Sequence, residues 1–301
     1  PPRSTLFPYT TLFRSKHSGW EYTPFTIGLE HQFQPIKEFI DKDSVKNKIL
    51  FLIGDLYSSA RTHFAFTLGY LRYTNNVVIT LNADNVLDVM HLIVSSLMKY
   101  DMEKRYIDPA IPEVAAILDR SAAQIANERI FALYARVVSI LQKFTQNKNL
   151  VLAIPNYTLK NESFHSFIHF LLKAQGLTNF TVVLYNETQD LTLRKMIPED
   201  FYDTRIFMYD FLSQHDVDTM VAHCLLIPDH KKKNYTNLYK LLFEKTNAKA
   251  FLVVAMLQEL VTKKIITFKD GHYVYDVETI KSYPFSFSFE DRWKATIEKL
   301  S

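Results

Sequence analysis

Short apolar runs alternate along this chain with longer stretches in which apolar residues recur every three or four positions. Five runs read as buried strands: residues 49–53 (ILFLI), 77–81 (VVITL), 150–154 (LVLAI), 180–185 (FTVVLY) and 205–209 (RIFMY). Between them the helical period dominates. Residues 26–40 read as a short strand followed by an amphipathic helix with Phe33, Ile36, Phe39 and Ile40 on one face. Further helices are predicted from about Ser59, over 86–99, and over 164–174. A long helix carries Ile125, Ile130, Leu133, Tyr134, Val137, Val138 and Leu141. Asn75-Asn76 and Asn147-Lys148-Asn149 mark turns, and the polar, proline-punctuated stretch 101–112 reads as a loop. Strands that alternate with helices in this way argue for a parallel sheet covered on both faces.

After residue 212 the pattern changes. Helices are predicted at 214–226, 238–244 and 250–263, followed by a strand pair at 265–275 around Asp270-Gly271, a strong hairpin signal. Helices followed by a hairpin suggest a lid that ends in a winged-helix-like element. The expected organisation is an amino-terminal arm at 16–48, an α/β core at 49–212 and the helical lid with its hairpin at 213–301. Residues 1–15 stand apart. Thr5 to Ser15 reads TLFPYTTLFRS, the in-frame translation of a common sequencing adapter, so this stretch is expected to be an assembly artefact and the natural amino terminus to be missing.

Composition narrows the function classes. With 301 residues, 48% hydrophobic and 14% aromatic, the chain can bury one large or two moderate cores. A net charge of +3, from 35 basic and 32 acidic residues, carries no polyanion signature, so no nucleic-acid partner is expected. A single cysteine, Cys224, rules out a disulfide framework and fits a reducing compartment. The sequons at Asn156, Asn161, Asn186 and Asn234 then read as chance matches. No apolar run approaches the roughly 18 residues of a membrane span, and no signal peptide is recognisable, so a soluble, cytoplasmic protein without a membrane partner is expected. Six glycines in 301 residues is about 2%, against about 7% on average. Anion cradles rely on glycine to bring backbone close to phosphate, so conventional nucleotide binding is not favoured.

The candidate chemistry lies where the 49–53 strand runs into Gly54, a polar turn and a helix, which is the layout of a nucleotide-binding phosphate loop. That loop requires G-x-x-x-x-G-K-[ST], and the chain offers Gly54-Asp55-Leu56-Tyr57-Ser58-Ser59-Ala60-Arg61. Ser59 replaces the second glycine, Ala60 the lysine and Arg61 the hydroxyl. One extra loop residue would bring Arg61 and Thr62 onto the last two positions. The candidate cofactor-binding residues are therefore Gly54, Ser59, Arg61 and Thr62.

Taken in order, these elements resemble a STAND-type P-loop ATPase, the AAA+-related module of signalling proteins, and look closest to the ATPase-like region that follows the cyclase domains of soluble adenylyl cyclases. Four landmarks carry the resemblance over Phe25 to about Tyr275. The leading motif reads Ile27-Gly28-Leu29-Glu30-His31-Gln32, with Leu29 in place of arginine. The Gly54 loop stands at the Walker A position. The Walker B strand, 150–154, ends in Pro155-Asn156 rather than paired carboxylates. The lid pattern Gly-x-Pro-x-hydrophobic matches Ala248-Lys249-Ala250-Phe251-Leu252, with both Gly and Pro gone, while Phe211-Leu212-Ser213 and 256–266 keep the flanking text.

The resemblance implies a P-loop NTPase-like fold, a regulatory or scaffolding role, and the parent protein's neighbouring domains as partners. It leaves open a cyclase activity elsewhere in that parent. Phosphoryl transfer depends on positioning and charge neutralisation. Without the lysine, the metal-bearing hydroxyl and the acidic pair, no catalytic residue, metal or cofactor is expected. Two alternatives remain: an ATP-binding switch that uses Arg61 and Thr62, since Arg binds phosphate bidentately, and an α/β interaction domain unrelated to NTPases.

Other groups read as structural. His165 and His169 share a helix face among aromatic residues, Lys231-Lys232-Lys233 reads as a solvated loop, and Cys224 reads as a small buried side chain. Ser58-Ser59, Ser95-Ser96 and Asp119 show no nucleophile arrangement.

Overall fold

The computed structural model describes residues 30–55, 57–101, 106–119, 127–189 and 192–285, apart from the side chains of 30 and 127–129. The adapter-like stretch 5–15, the leading-motif residues Ile27, Gly28 and Leu29, the strand expected near residue 26, and Ile125 all lie outside the described residues. The described chain falls into two compact units. One holds residues 34–56 and 63–208; the other holds 30–33, 57–62 and 209–285.

The first unit is built on five parallel strands: β1 (Asn47–Ile53), β2 (Val77–Thr80), β3 (Leu150–Pro155), β4 (Phe180–Asn186) and β5 (Tyr202–Met208). Their order is β2-β3-β4-β1-β5. The helices are α1 (Glu30–Asp41), α2 (Ala60–Tyr73), α3 (Val86–Met98), α4 (Pro112–Leu118), α5 (Asn127–Thr145) and α6 (Glu162–Lys173). The connection from β1 to β2 runs one way across the sheet, and those from β2 through β5 run back. Right-handed crossovers therefore put α2 and the later helices on opposite faces.

Burial agrees with that placement. Ile49, Phe51 and Ile53 share a core with Leu152, Val182 and the buried residues of α3 to α6. The alternate positions Leu50, Leu52, Val151 and Val183 are also fully buried, and Phe64 of α2 packs on Tyr185 of β4 with ring centroids 5.9 Å apart. Strands buried on both faces explain the unbroken apolar runs. The polar side chain of Asn47 fixes the start of the register, its amide donating to the Leu177 carbonyl at 2.9 Å and accepting from the Phe180 N–H at 3.0 Å.

The fold is thus an α/β parallel sheet of the P-loop NTPase-like kind, with the strand that leads into the Gly54 loop flanked on both sides. Two sequence expectations need correction. The stretch 101–112 does not pass straight into one long helix. Pro112 opens the separate helix α4, where its missing N–H costs nothing, and α5 is a second helix, described over Asn127–Thr145. Helix α2 begins at Ala60, where the apolar period placed it. Strand β5 starts three residues before its apolar run, because ladder bonds to β1 extend through the polar residues Asp203 and Thr204.

The second unit contains α7 (Gln214–Cys224), a 3₁₀ turn (Asp229–Tyr235), α8 (Thr236–Lys245), α9 (Ala250–Thr262), the antiparallel pair β6 (Ile266–Lys269) and β7 (His272–Tyr275), and α10 (Val277–Ser282). Val217, Met220, Leu238, Leu242, Val253 and Met256 form its centre. Asp270 and Gly271 both have positive φ, 47° and 78°, as a two-residue hairpin of this hand requires. Helices followed by this hairpin make the winged-helix-like element, to which α10 is an addition that the sequence pattern did not reveal.

Candidate functional site

In open α/β sheets ligands bind beyond the carboxyl ends of the strands, near where connection directions reverse. Strand β1 meets that condition and ends in the candidate loop. Gly54 is buried, and its N–H donates to the Asn186 carbonyl at 3.1 Å, which prolongs the β1–β4 ladder by one step. Tyr57 to Thr62 belong to the second unit. Ser58, Ser59 and Ala60 are buried there, at 4%, 3% and 0% exposure. The Ala60 N–H, first in helix α2, donates to the Ser58 hydroxyl at 3.2 Å. The Tyr57 carbonyl accepts from the Phe251 N–H at 3.0 Å, and the two rings lie 6.2 Å apart.

The candidate binding residues therefore fall in two places. Gly54 lies in the sheet unit, whereas Ser59, Arg61 and Thr62 lie together at the start of α2 in the other. Arg61 is exposed, and Ser59 and Thr62 are buried. A phosphate cradle needs backbone N–H groups that converge on open space. Here the Gly54 and Ala60 N–H groups already have partners within the chain, and a buried methyl stands at the lysine position.

The ends of the neighbouring strands carry amides where an ATPase needs carboxylates. Asn156 follows β3 with φ 52° and ψ 48°, a left-handed conformation that asparagine tolerates. Asn186 closes β4 at 1% exposure, and its Oδ1 accepts from the Thr158 N–H at 3.3 Å. That bond fixes which end of the Asn186 amide is oxygen. Its Nδ2 and the Asn156 Oδ1 are buried with no hydrogen-bond partner among the described residues. Neither amide carries charge, so neither can hold Mg²⁺ as a carboxylate does.

The leading motif has a definite partner. Asp216 closes a capping box on α7, accepting from the Ser213 N–H at 3.0 Å and the Ser213 hydroxyl at 2.8 Å. It also accepts from His31 Nε2 at 3.0 Å and Gln32 Nε2 at 3.3 Å. At the degenerate lid pattern, Asn247 and Ala248 both have positive φ, 49° and 53°. The Ala248 carbonyl accepts from the Leu212 N–H at 2.9 Å. The Lys249 ammonium donates to the Asp210 carbonyl at 2.6 Å and lies 3.9 Å from the Phe211 ring centroid. The glycine has gone, yet the backbone still adopts the conformation that suits glycine.

His165 and His169 flank Tyr157. His165 Nε2 donates to its carbonyl at 2.9 Å, and His169 Nε2 lies 3.4 Å from its hydroxyl. Burial holds the His169 imidazole below its usual range, with His165 and Lys173 adding to the effect. Among the described residues no three His, Cys, Asp or Glu side chains converge as metal ligands. Cys224 is buried, and burial pushes its thiol up to about 12. Among the described residues no helix is long and apolar enough to cross a membrane.

Comparison with known proteins adds little. No protein-family model matches the chain, and no curated protein matches it significantly. Among solved structures it is similar to a chain of "Structure of Drosophila ORC bound to DNA", at 14% identity and a TM-score of 0.38, covering 73% of this chain and 40% of that one. A chain of "Structure of Drosophila ORC bound to GC-rich DNA and Cdc6" is 15% identical with a TM-score of 0.38, covering 86% and 44%. This chain therefore spans less than half the length of those chains. The strand order β2-β3-β4-β1-β5, rather than these likenesses, carries the fold class.

The roles of Tyr57, Phe251, Asn186 and Asp216 were not read from the sequence, although Tyr57 and Phe251 stand within the loop and lid motifs. Only Asp216 left a local signal, because Ser213-x-x-Asp216 before an apolar helix is a capping-box pattern.

Proposed function

We propose that this chain is a non-hydrolysing P-loop NTPase-like module of the AAA+-related STAND type, with a regulatory or scaffolding role in an adenylyl cyclase-like signalling protein. Its core would span 49–212 and its lid 213–301, its partners would be neighbouring domains of that cytoplasmic protein, and the adapter-like stretch would be no part of it. The observation that carries the proposal is how the loop after β1 spends its hydrogen bonds. The Ala60 N–H goes to the Ser58 hydroxyl and the Tyr57 carbonyl to the Phe251 N–H, so the loop acts as internal structure. Pro155-Asn156 at the end of β3 supports the same reading, since it supplies no anion for a metal. The sheet order argues against an α/β domain unrelated to NTPases, because it is compatible with a P-loop sheet.

Calorimetric titration of the chain with Mg-ATP, alongside Arg61→Ala, tests the proposal. Absence of heat in both supports it. Exposed Arg61 favours one rival, an ATP-binding switch, and heat that disappears in Arg61→Ala would establish that rival. Heat that persists in Arg61→Ala would reject both. Sequencing the transcript across residues 5–15 tests the signalling context, which fails if no cyclase domains lie upstream.

A further inference from the structure

The hairpin and the 3₁₀ turn of the second unit bring together a group of cations that the proposed function does not use. The turn carries Lys231, Lys232 and Lys233 after the exposed His230. The Lys231 ammonium donates to the Gly271 carbonyl at 3.4 Å, which ties the turn to the hairpin tip. In the hairpin, Lys269 stands opposite His272 and Thr267 opposite Val274. Two-residue alternation places these four on one face. Lys269 and His272 are exposed, and the hairpin also exposes Val274 at 41% and Phe268 at 53%.

Lys269 faces no carboxylate across the hairpin, so its charge has no partner there. Two carboxylates lie within the group. Asp229 is held by Lys232 at 2.7 Å, and Asp270 sits at the tip. Lys233 and Lys269 have no ion-pair partner among the described residues.

We propose that the 3₁₀ turn and the hairpin tip form a docking surface for an acidic peptide segment of another polypeptide, one in which apolar residues interrupt the carboxylates. Charge complementarity supplies the attraction, and exposed Val274, on the same face as Lys269, supplies apolar contact. Nucleic acid fits less well. The turn and the hairpin contain no arginine, the side chain best suited to phosphate. A duplex backbone carries a charge about every 1.7 Å and would meet Asp229 and Asp270 head-on. A peptide can set its acidic residues against Lys233 and Lys269 and avoid both. This inference does not depend on whether the Gly54 loop binds nucleotide.

The probe is a fluorescein-labelled peptide of repeating Glu-Glu-Leu, titrated with the full chain by fluorescence anisotropy. A labelled oligo-dT of similar charge is run in parallel. Binding is expected at about 50 mM salt and weakened several-fold at about 300 mM. The double variant Lys233→Glu, Lys269→Glu should weaken it by about tenfold or more, and the corresponding glutamine pair by less. Lys148→Glu, exposed in the other unit, should leave it unchanged. No peptide binding at low salt, tighter binding of oligo-dT, an unaffected double variant, or an equal loss in Lys148→Glu would each overturn the proposal.

Discussion

The carbonyl of Tyr57 accepts the N–H of Phe251 at 3.0 Å, joining the loop after β1 to the first turn of α9. The first N–H groups of any helix have no partner within it, and here the loop supplies one. Phe251 is 5% exposed and its ring meets that of Tyr57. Phe251→Ala is expected to cost about 3–5 kcal/mol through the cavity it leaves, and Tyr57→Ala about 1 kcal/mol. A double-mutant cycle in urea should give a coupling of about 0.5–1.5 kcal/mol. A coupling of zero would mean that the ring contact contributes nothing.

Ala248 holds a left-handed backbone with φ 53°. That conformation costs a non-glycine residue about 1–2 kcal/mol, whereas glycine adds about 0.4–1 kcal/mol of unfolded-state entropy. Ala248→Gly should therefore raise stability by about 0.5–1 kcal/mol, seen as a higher urea midpoint with unchanged slope. A lower midpoint would show that the methyl packs better than its conformation costs.

These two sites show what the sequence conveys and what it conceals. Strands β1, β3 and β4 were legible because a sheet covered on both faces demands continuous apolar runs. Strand β5 was legible only in part, since its pairing to β1 runs through Asp203 and Thr204, which carry no apolar signal. The hairpin was legible because Asp270-Gly271 encodes its own turn. At the candidate site, the loss of lysine at Ala60 could be read directly. The commitment of Tyr57 to Phe251 could not, because the partners lie far apart in the chain and meet through backbone atoms. Asn47 escaped notice for a similar reason, since it meets Leu177 and Phe180 across the fold.

His169 gives the fold a pH dependence. Burial, then His165 and Lys173, lower its pKa from 6.5 in the folded state. The unfolded chain therefore takes up a proton at higher pH than the folded one. Stability from this group is fully present above about pH 6.5 and is lost as pH falls from there toward the folded value. Urea midpoints measured from pH 8 to pH 5 should fall more steeply for the natural chain than for His169→Gln. Identical slopes would remove His169 as the cause.

Cys224 should be inert in the folded protein. It is 7% exposed and burial pushes its thiol up to about 12, so almost no thiolate is present at neutral pH. A chromogenic disulfide reagent at pH 8 should react slowly with the native chain and within seconds once it is unfolded in guanidinium. Rapid stoichiometric reaction of the native chain would contradict the burial.

Within the second unit, Asp216 holds His31 and Gln32 to the start of α7. Its carboxylate accepts from Ser213, His31 and Gln32 and sits in a residue only 7% exposed. Asp216→Ala would leave the Ser213 N–H without its capping partner and release both arm side chains. Loss of a cap costs about 1 kcal/mol, and the bonds to a buried charge add to that, so about 2 kcal/mol is expected. Ser213→Ala breaks only the hydroxyl bonds and should cost about 1 kcal/mol. Hydrogen exchange separates the two cases. In Asp216→Ala the amides at 31–36 should exchange faster, and in Ser213→Ala only those opening α7 should do so. Equal protection at 31–36 in both variants would mean that the first turns of α1 are held by the apolar side chains of Ile36 and Phe39 rather than by this carboxylate.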